Sequence, residues 1–479
     1  MNADVKELNP YILGVYAATP SETCTPVTAV EGEIPLDLSG SYVRNGPNPM
    51  FAVKGKHHWF DGDGMLHSIR FKQGAALYTN RWIRTEDLTQ EQRAGQAIWT
   101  GIREPIAWER IQHPYKDTAN TDVKFHNGAL LAVWYQCGKP YRVDPFTLET
   151  KGVDDFGGKL KTKVSAHVKV DAITGEMMFF EYGIVPPFMS YGVVSAQGDL
   201  IKQVDIPLPG PRLPHDMAIT EHYSILMDLP VFWDAEALKK GKWKSRFHPD
   251  TPSRFAIIPR HGNTQDVRWF ETSPCYIYHV INAWEEGDEV VMMAHRVANP
   301  IADSEAHKTE FERMLRNLQM HAETYCWRFN LTTGQATETL VDPVNAEFPT
   351  INMNLQGRKT RYAYAMLIPD KTTLIFDGLM KYDFATGQHQ RFEFGENCFA
   401  SEAAFAPREN AQDEDDGYVV TFVTMSDAQQ TLASQKSECW LFDAKDIRNG
   451  PVCKIAIPVR MPAGFHACWV NGAELEKSQ

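Results

Sequence analysis

Nowhere does the chain hold an apolar run approaching the ~18–20 residues that a membrane-spanning helix needs. Its opening, MNADVKELNPYILGVYAATP, has no basic stretch leading into an apolar one, so no secretory leader is read and a cytoplasmic location is expected. Basic residues are short: 48 Lys and Arg stand against 61 Asp and Glu, a net charge of −13, which repels phosphate backbones and excludes nucleic acid as a partner. The eight cysteines are scattered without a C-x-x-C pair, which points to free thiols in a reducing compartment rather than a disulfide scaffold. No Pro-, Gly- or Ser-rich linker divides the sequence, so 1–479 is read as one domain. No nucleophile elbow, phosphate loop or dinucleotide fingerprint stands out.

What is present is a hydrophobic content of 43%, enough for a globular core, and many short strand patterns broken by turn signals. One loose unit recurs: a strand, a turn led by Asp or Asn, and another strand. It reads RVDPFTLET (142–150), KVDAITGEMMFF (169–180), RFNLTTGQATET (328–339), KYDFATGQHQRFEF (381–394) and LFDAKDIRNGPVCKIAIP (441–458). The Asp or Asn side chain bonds the local backbone, and Gly tolerates positive φ. Such hairpins along one long chain favour a β-propeller over a single sandwich, without deciding between them. Phe311, Met314, Leu315 and Leu318 fall on one face of an expected helix over 303–320, with Asp303 or Ser304 as its cap. The basic stretch 237–247 is expected to be a solvated loop, and DEDD at 413–416 an exposed hairpin tip. DGDG at 61–64 is not an EF-hand, because Lys72 stands at the twelfth position, and it reads as a tight turn into a strand.

Imidazole suits iron, copper and zinc alike, and there are 16 histidines, so histidine content alone selects neither ligands nor metal. The segments around four of them do. SAHVKVDAITGE, LPHDMAIT, YHVINAWEEGDEV and AGFHACWV, with GSYVRNGPNPMF, HWFDGDGMLHSIRF, NAEFPTIN and ASEAAFAPR, resemble the carotenoid cleavage oxygenases from about residue 10 to the C-terminus.

The resemblance implies an all-β fold, a seven-bladed propeller whose axial metal site is covered by a dome of loops and helix. It implies ferrous iron, Fe(2+), held by His167, His215, His279 and His466. In the family, glutamates accept the outer N–H of three of the histidines; Glu347 and Glu402 match two of those positions. At the third the family reads LALxE and this chain reads LAVWY, placing Tyr135, which brings no charge, where a glutamate is usual. Gln136 has the opposite strand parity.

The implied chemistry is cleavage of a conjugated C=C bond by O2 into two carbonyl products. The stilbene-cleaving branch holds its phenol with a Lys and a Tyr; here those positions fall on Trp134 and near Gly101. Trp134 offers a flat apolar wall, so the expected substrate is an apocarotenoid or carotenoid, with stilbenes and phenylpropanoids as the alternative. A hydrophobic small molecule and O2 are the expected partners, and such a substrate draws the protein to the periphery of a membrane. A non-oxidative isomerase and a non-catalytic interaction propeller are the remaining readings.

Overall fold

Asp- and Asn-led turns punctuate the chain as their side chains dictate. Asp144 Oδ1 accepts from the backbone N–H groups of Phe146 and Thr147, both at 2.9 Å. Asn330 does the same for Thr332 and Thr333 at 3.0 and 2.8 Å. These turns close antiparallel hairpins, and a computed structural model shows seven of the eight sheets among the described residues arranged as the blades of a β-propeller. The structure describes residues 9–105, 115–301, 318–426 and 435–479, apart from 243 and 372.

Six innermost strands are Asp122–His126, Lys169–Val170, Ala218–Ile219, Tyr276–Glu286, Ala346–Thr350 and, closing the ring, Ala467–Asn471. They belong to blades two to six and, for the last, blade one. Blade seven contributes two short pieces, Cys398–Ala400 and Ala404–Pro407, both paired to Gly417–Met425. Closure runs in both directions. The C-terminal strand pairs with Gly40–Pro47 of blade one, with Ser41 opposite Val470. The N-terminal strand Ala29–Gly32 is the outer edge of blade seven, with Ala29 opposite Ile455.

Faces between blades are packed with branched and aromatic side chains. Trp327, fully buried, faces Phe255 of blade four at 6.1 Å between ring centroids, and Phe329 faces Phe255 at 5.0 Å and Phe270 at 5.4 Å. Each such pair adds about 0.5–1.5 kcal/mol beyond its apolar burial.

The acidic run 413–416 is not the free hairpin tip expected from sequence. Glu414 Oε1 accepts from Thr360 Oγ1 and from the backbone N–H groups of Arg361 and Tyr362, and Asp415 pairs with buried Lys381 at 2.6 Å. The run therefore clamps blade seven to blade six. The basic stretch also differs from expectation: Ala235–Lys239 is a short helix capped by Asp234, and Ser245–Phe247 pairs with Val231–Trp233. Of the expected helix over 303–320, residues 303–317 lie outside the described residues.

Residues 48–63 meet 83–105 and 115–121, where Asp61 Oδ1 accepts from the N–H of Ile102 at 2.9 Å and Asn120 Nδ2 donates to the Phe60 carbonyl at 2.9 Å. Among the described residues all eight cysteines are free and no helix is long and apolar enough to cross a membrane.

Candidate metal centre

Each blade brings one residue of the set on or beside its innermost strand. Blades three, four, five and one give His167, His215, His279 and His466; blades six, seven and two give Glu347, Glu402 and Asp122. Local irregularities aim them. His279 lies where its strand shifts register between Ile277 and Val280, and Glu347 where its strand shifts before Thr350; such bulges re-aim side chains. His466 is fixed by its backbone, its C=O accepting from the Asn45 N–H at 2.8 Å and its N–H donating to the Thr121 C=O at 3.1 Å. Just before it, Gly464 has room for no side chain, since a Cβ there would lie 2.5 Å from Cζ of the buried Arg44.

His167 sits outside a regular strand, two residues before Lys169–Val170. Its φ is +68°, a left-handed conformation rare for a residue with a side chain. Its N–H donates to Asp122 Oδ2 at 3.1 Å. Phe348 is similar, with φ +53° and its N–H donating to Glu347 Oε2 at 2.6 Å. In both places a carboxylate of the ring anchors the unusual backbone.

The four imidazoles converge, with potential ligand atoms all within 4.8 Å of one another. Nε2 of His167 and of His279 is buried with no hydrogen-bond partner among the described residues. An orphaned buried nitrogen costs about 1–3 kcal/mol, so its recurrence at one point marks a place for a ligand-accepting centre. Burial holds His167, His215 and His279 well below the usual imidazole range, which keeps them neutral with lone pairs available. Four converging imidazole nitrogens fit a divalent transition metal, and iron is among those they suit.

The outer nitrogens are also held. His279 Nδ1 donates to Glu347 Oε2 at 2.5 Å and His466 Nδ1 to Glu402 Oε1 at 3.1 Å. Placing the proton on Nδ1 directs the Nε2 lone pair to the axis. Burial pushes the Glu347 carboxyl up to about 7; a cation at the axis opposes that rise. Tyr135 stands beside His215, their ring centroids 6.4 Å apart, and its hydroxyl accepts from Gln136 Nε2 at 2.8 Å. Burial pushes the phenol well above its ordinary range, so it carries no charge.

Trp134 is buried edge-on to Tyr115 and Tyr135. It lines a cavity with Phe51, Phe60, Trp99, Gly101 and Ile102. Phe60, which lines this cavity, packs edge-on to Tyr135 at 5.0 Å, and Tyr135 in turn lies beside His215. Both positions compared with the phenol-holding pair of stilbene cleavers, 134 and 101, thus line the same space. A second cavity is lined by His167, His279 and His466 together with Lys124, Lys169 and Asp216. Lys169 pairs with Asp216 at 2.7 Å, and Asp216 Oδ2 accepts from the Val280 N–H of the next blade at 2.8 Å.

Sequence reasoning missed Asp122 and Asp216. Asp216 directly follows His215, and Asp122 and Lys124 alternate along a short strand pattern, the mark of an inward-facing charged pair.

A model of the family described as retinal pigment epithelial membrane protein matches residues 16–471. Carotenoid 9,10(9',10')-cleavage dioxygenase 1 of Arabidopsis thaliana is 35% identical, over 98% of this chain and 91% of that protein. Lignostilbene dioxygenase of Pseudomonas brassicacearum superposes with a TM-score of 0.86 at 27% identity, covering 97% of this chain and 98% of that one. A mutant of the Synechocystis apocarotenoid oxygenase superposes with a TM-score of 0.82 at 26% identity, over 95% and 97%. With its seven blades and converging imidazoles, the chain belongs to the retinal pigment epithelial membrane protein family, that of the carotenoid cleavage oxygenases.

Proposed function

We propose that this protein is an iron-dependent dioxygenase that cleaves a conjugated C=C bond of an apocarotenoid or carotenoid with O2, giving two carbonyl products. The observation that carries this is the convergence of His167, His215, His279 and His466 with orphaned nitrogens at its focus. These four would hold Fe(II), and the iron, when bound, supplies the activation of O2. The chain's own residues do the rest. Glu347 and Glu402 fix the imidazole tautomers. Phe60, Trp134 and Tyr135 form an aromatic wall that excludes water and orients a rigid, flat substrate. No side-chain acid or base is required, because both oxygen atoms of O2 end in the carbonyl products and no proton is consumed.

The apolar wall at Trp134 and the absence of a side chain at Gly101 favour a polyene over a phenol. Trp134 Nε1 has no hydrogen-bond partner among the described residues, which leaves one donor for an oxygen on the substrate's end group. The likeness to lignostilbene dioxygenase supports stilbene cleavage as the second reading. We take 1–479 as one propeller domain, cytoplasmic and drawn to membrane surfaces by its substrate.

The test is to load the protein with Fe(II), supply O2, and offer an apocarotenal and a hydroxystilbene side by side, with products read by mass spectrometry. Aldehydes from the apocarotenal alone are expected. Cleavage of the stilbene alone would reverse the substrate assignment, and bound iron with no cleavage of either would favour an isomerase or an interaction protein. A separate expectation concerns charge: Tyr135→Glu places a carboxylate beside His215 and should lower the Fe(III)/Fe(II) potential, measured by redox titration. An unchanged potential would mean that position 135 is not sensed by the metal.

A further inference from the structure

We propose that Asp122 is a positioning residue of the metal centre. It holds His167 in its left-handed conformation and supplies, beside that histidine, the negative charge absent at Tyr135. The proposal rests on the reading of the four imidazoles as an iron site.

The propeller brings seven residues to its axis, and the three blades without an imidazole all bring a carboxylate. Glu347 and Glu402 have clear partners in His279 and His466. Of the other two histidines, His215 faces the neutral Tyr135. His167 faces Asp122, which is 0% exposed. The two oxygens of Asp122 do different things. Oδ1 accepts from the Val123 N–H at 2.8 Å and from Lys124 Nζ at 3.0 Å. Oδ2 accepts from the His167 N–H at 3.1 Å and lies 3.7 Å from His167 Nδ1. The last distance is too long for a hydrogen bond, so towards the ring Asp122 acts by charge, and towards the backbone by a bond.

That bond matters because His167 has φ +68°. A residue with a side chain persists there only when its surroundings over-determine it, and functional sites are where such strain collects. The carboxylate also sits between the histidine and Lys124, with Oδ2 turned to the ring and Oδ1 to the lysine. Lys124 thus engages the oxygen turned away from His167, and Oδ2 is the oxygen that faces the imidazole. The outcome is a centre with three carboxylates around four imidazoles, the third paired with His167 instead of His215.

The full-length protein, loaded with Fe(II), provides the test through its iron content and Fe(III)/Fe(II) potential. Asp122→Asn keeps an oxygen able to accept the His167 N–H but removes the charge. It should retain iron while its preference for ferric over ferrous iron falls about tenfold, a rise of about 59 mV for a one-electron couple. Asp122→Ala removes the acceptor as well and should lower iron affinity roughly 10–100-fold. Adding Tyr135→Glu to Asp122→Asn should bring the potential back towards the wild-type value, which a purely structural role for Asp122 would not do. Should Asp122→Asn fail to fold, Lys124→Met leaves the carboxylate uncompensated and must lower the potential. Unchanged potentials in the Asp122 and Lys124 variants, with iron still bound, would overturn the proposal alone. A wild-type protein that holds no iron would overturn the underlying reading and the proposal with it.

Discussion

Replacing His279 by Ala should strip iron from the protein. The imidazole contributes one of four converging nitrogens, its Nε2 has no other partner among the described residues, and its Nδ1 is the hydrogen-bond partner of a fully buried carboxylate. Truncation removes the ligand and leaves Glu347 with a lost partner in an apolar setting, a cost of about 1–3 kcal/mol even before the metal is considered. Loss of an outer hydrogen bond alone lowers metal affinity roughly 10–100-fold, and loss of the ligand itself must exceed that. Glu347→Gln, which keeps the ligand and removes the charge behind it, should fall between the two. Iron per chain after dialysis, compared across wild type, Glu347→Gln and His279→Ala, measures the order. A His279→Ala protein that retained one iron per chain would contradict the ligand set.

The second large effect is on the closure of the ring. Val470→Asp should destroy the cooperative fold and the metal site together. Val470 is 0% exposed, pairs opposite Ser41, and packs with Val43, Leu66, Val123 and Leu130. A carboxylate there would sit among apolar side chains, and an unpaired buried charge costs several kcal/mol against a total stability of about 5–15 kcal/mol. The same C-terminal segment carries His466, so loss of the strand takes a ligand with it. Val452→Asp is the control: it lies on the strand Pro451–Ile457 but is 41% exposed, and a surface change of this kind usually stays within about 0.5 kcal/mol. Thermal melts followed by circular dichroism, with iron content on the same samples, separate the two. A Val470→Asp melt like that of wild type would mean the C-terminal strand does not lock the ring.

Much of the architecture was legible because its cause is local. Asp144, Asp171 and Asn330 make side-chain-to-backbone turns wherever they occur, and their strands follow from alternation. What the pattern concealed was phase. The unit at 169–180 joins the first and second strands of its blade, whereas those at 142–150 and 381–394 join the third and fourth, so the repeat has no fixed period. The histidines became a set through the resemblance, since only the order of the blades turns residues distant in sequence into neighbours on an axis. Asp122 was less legible because it opens the inner strand Asp122–His126, well before Tyr135, where the family usually has a glutamate. The acidic run at 413–416 misled for a related reason: a cluster of carboxylates usually means solvent, but Glu414 takes its donors from residues 360–362 on another blade.

The most direct test of the account is X-ray absorption at the iron edge of the Fe(II)-loaded protein. Four imidazole nitrogens around the metal, one each from His167, His215, His279 and His466, is the predicted result. Fewer imidazoles, with carboxylate oxygen from Glu347, Glu402 or Asp122 in their place, would contradict it.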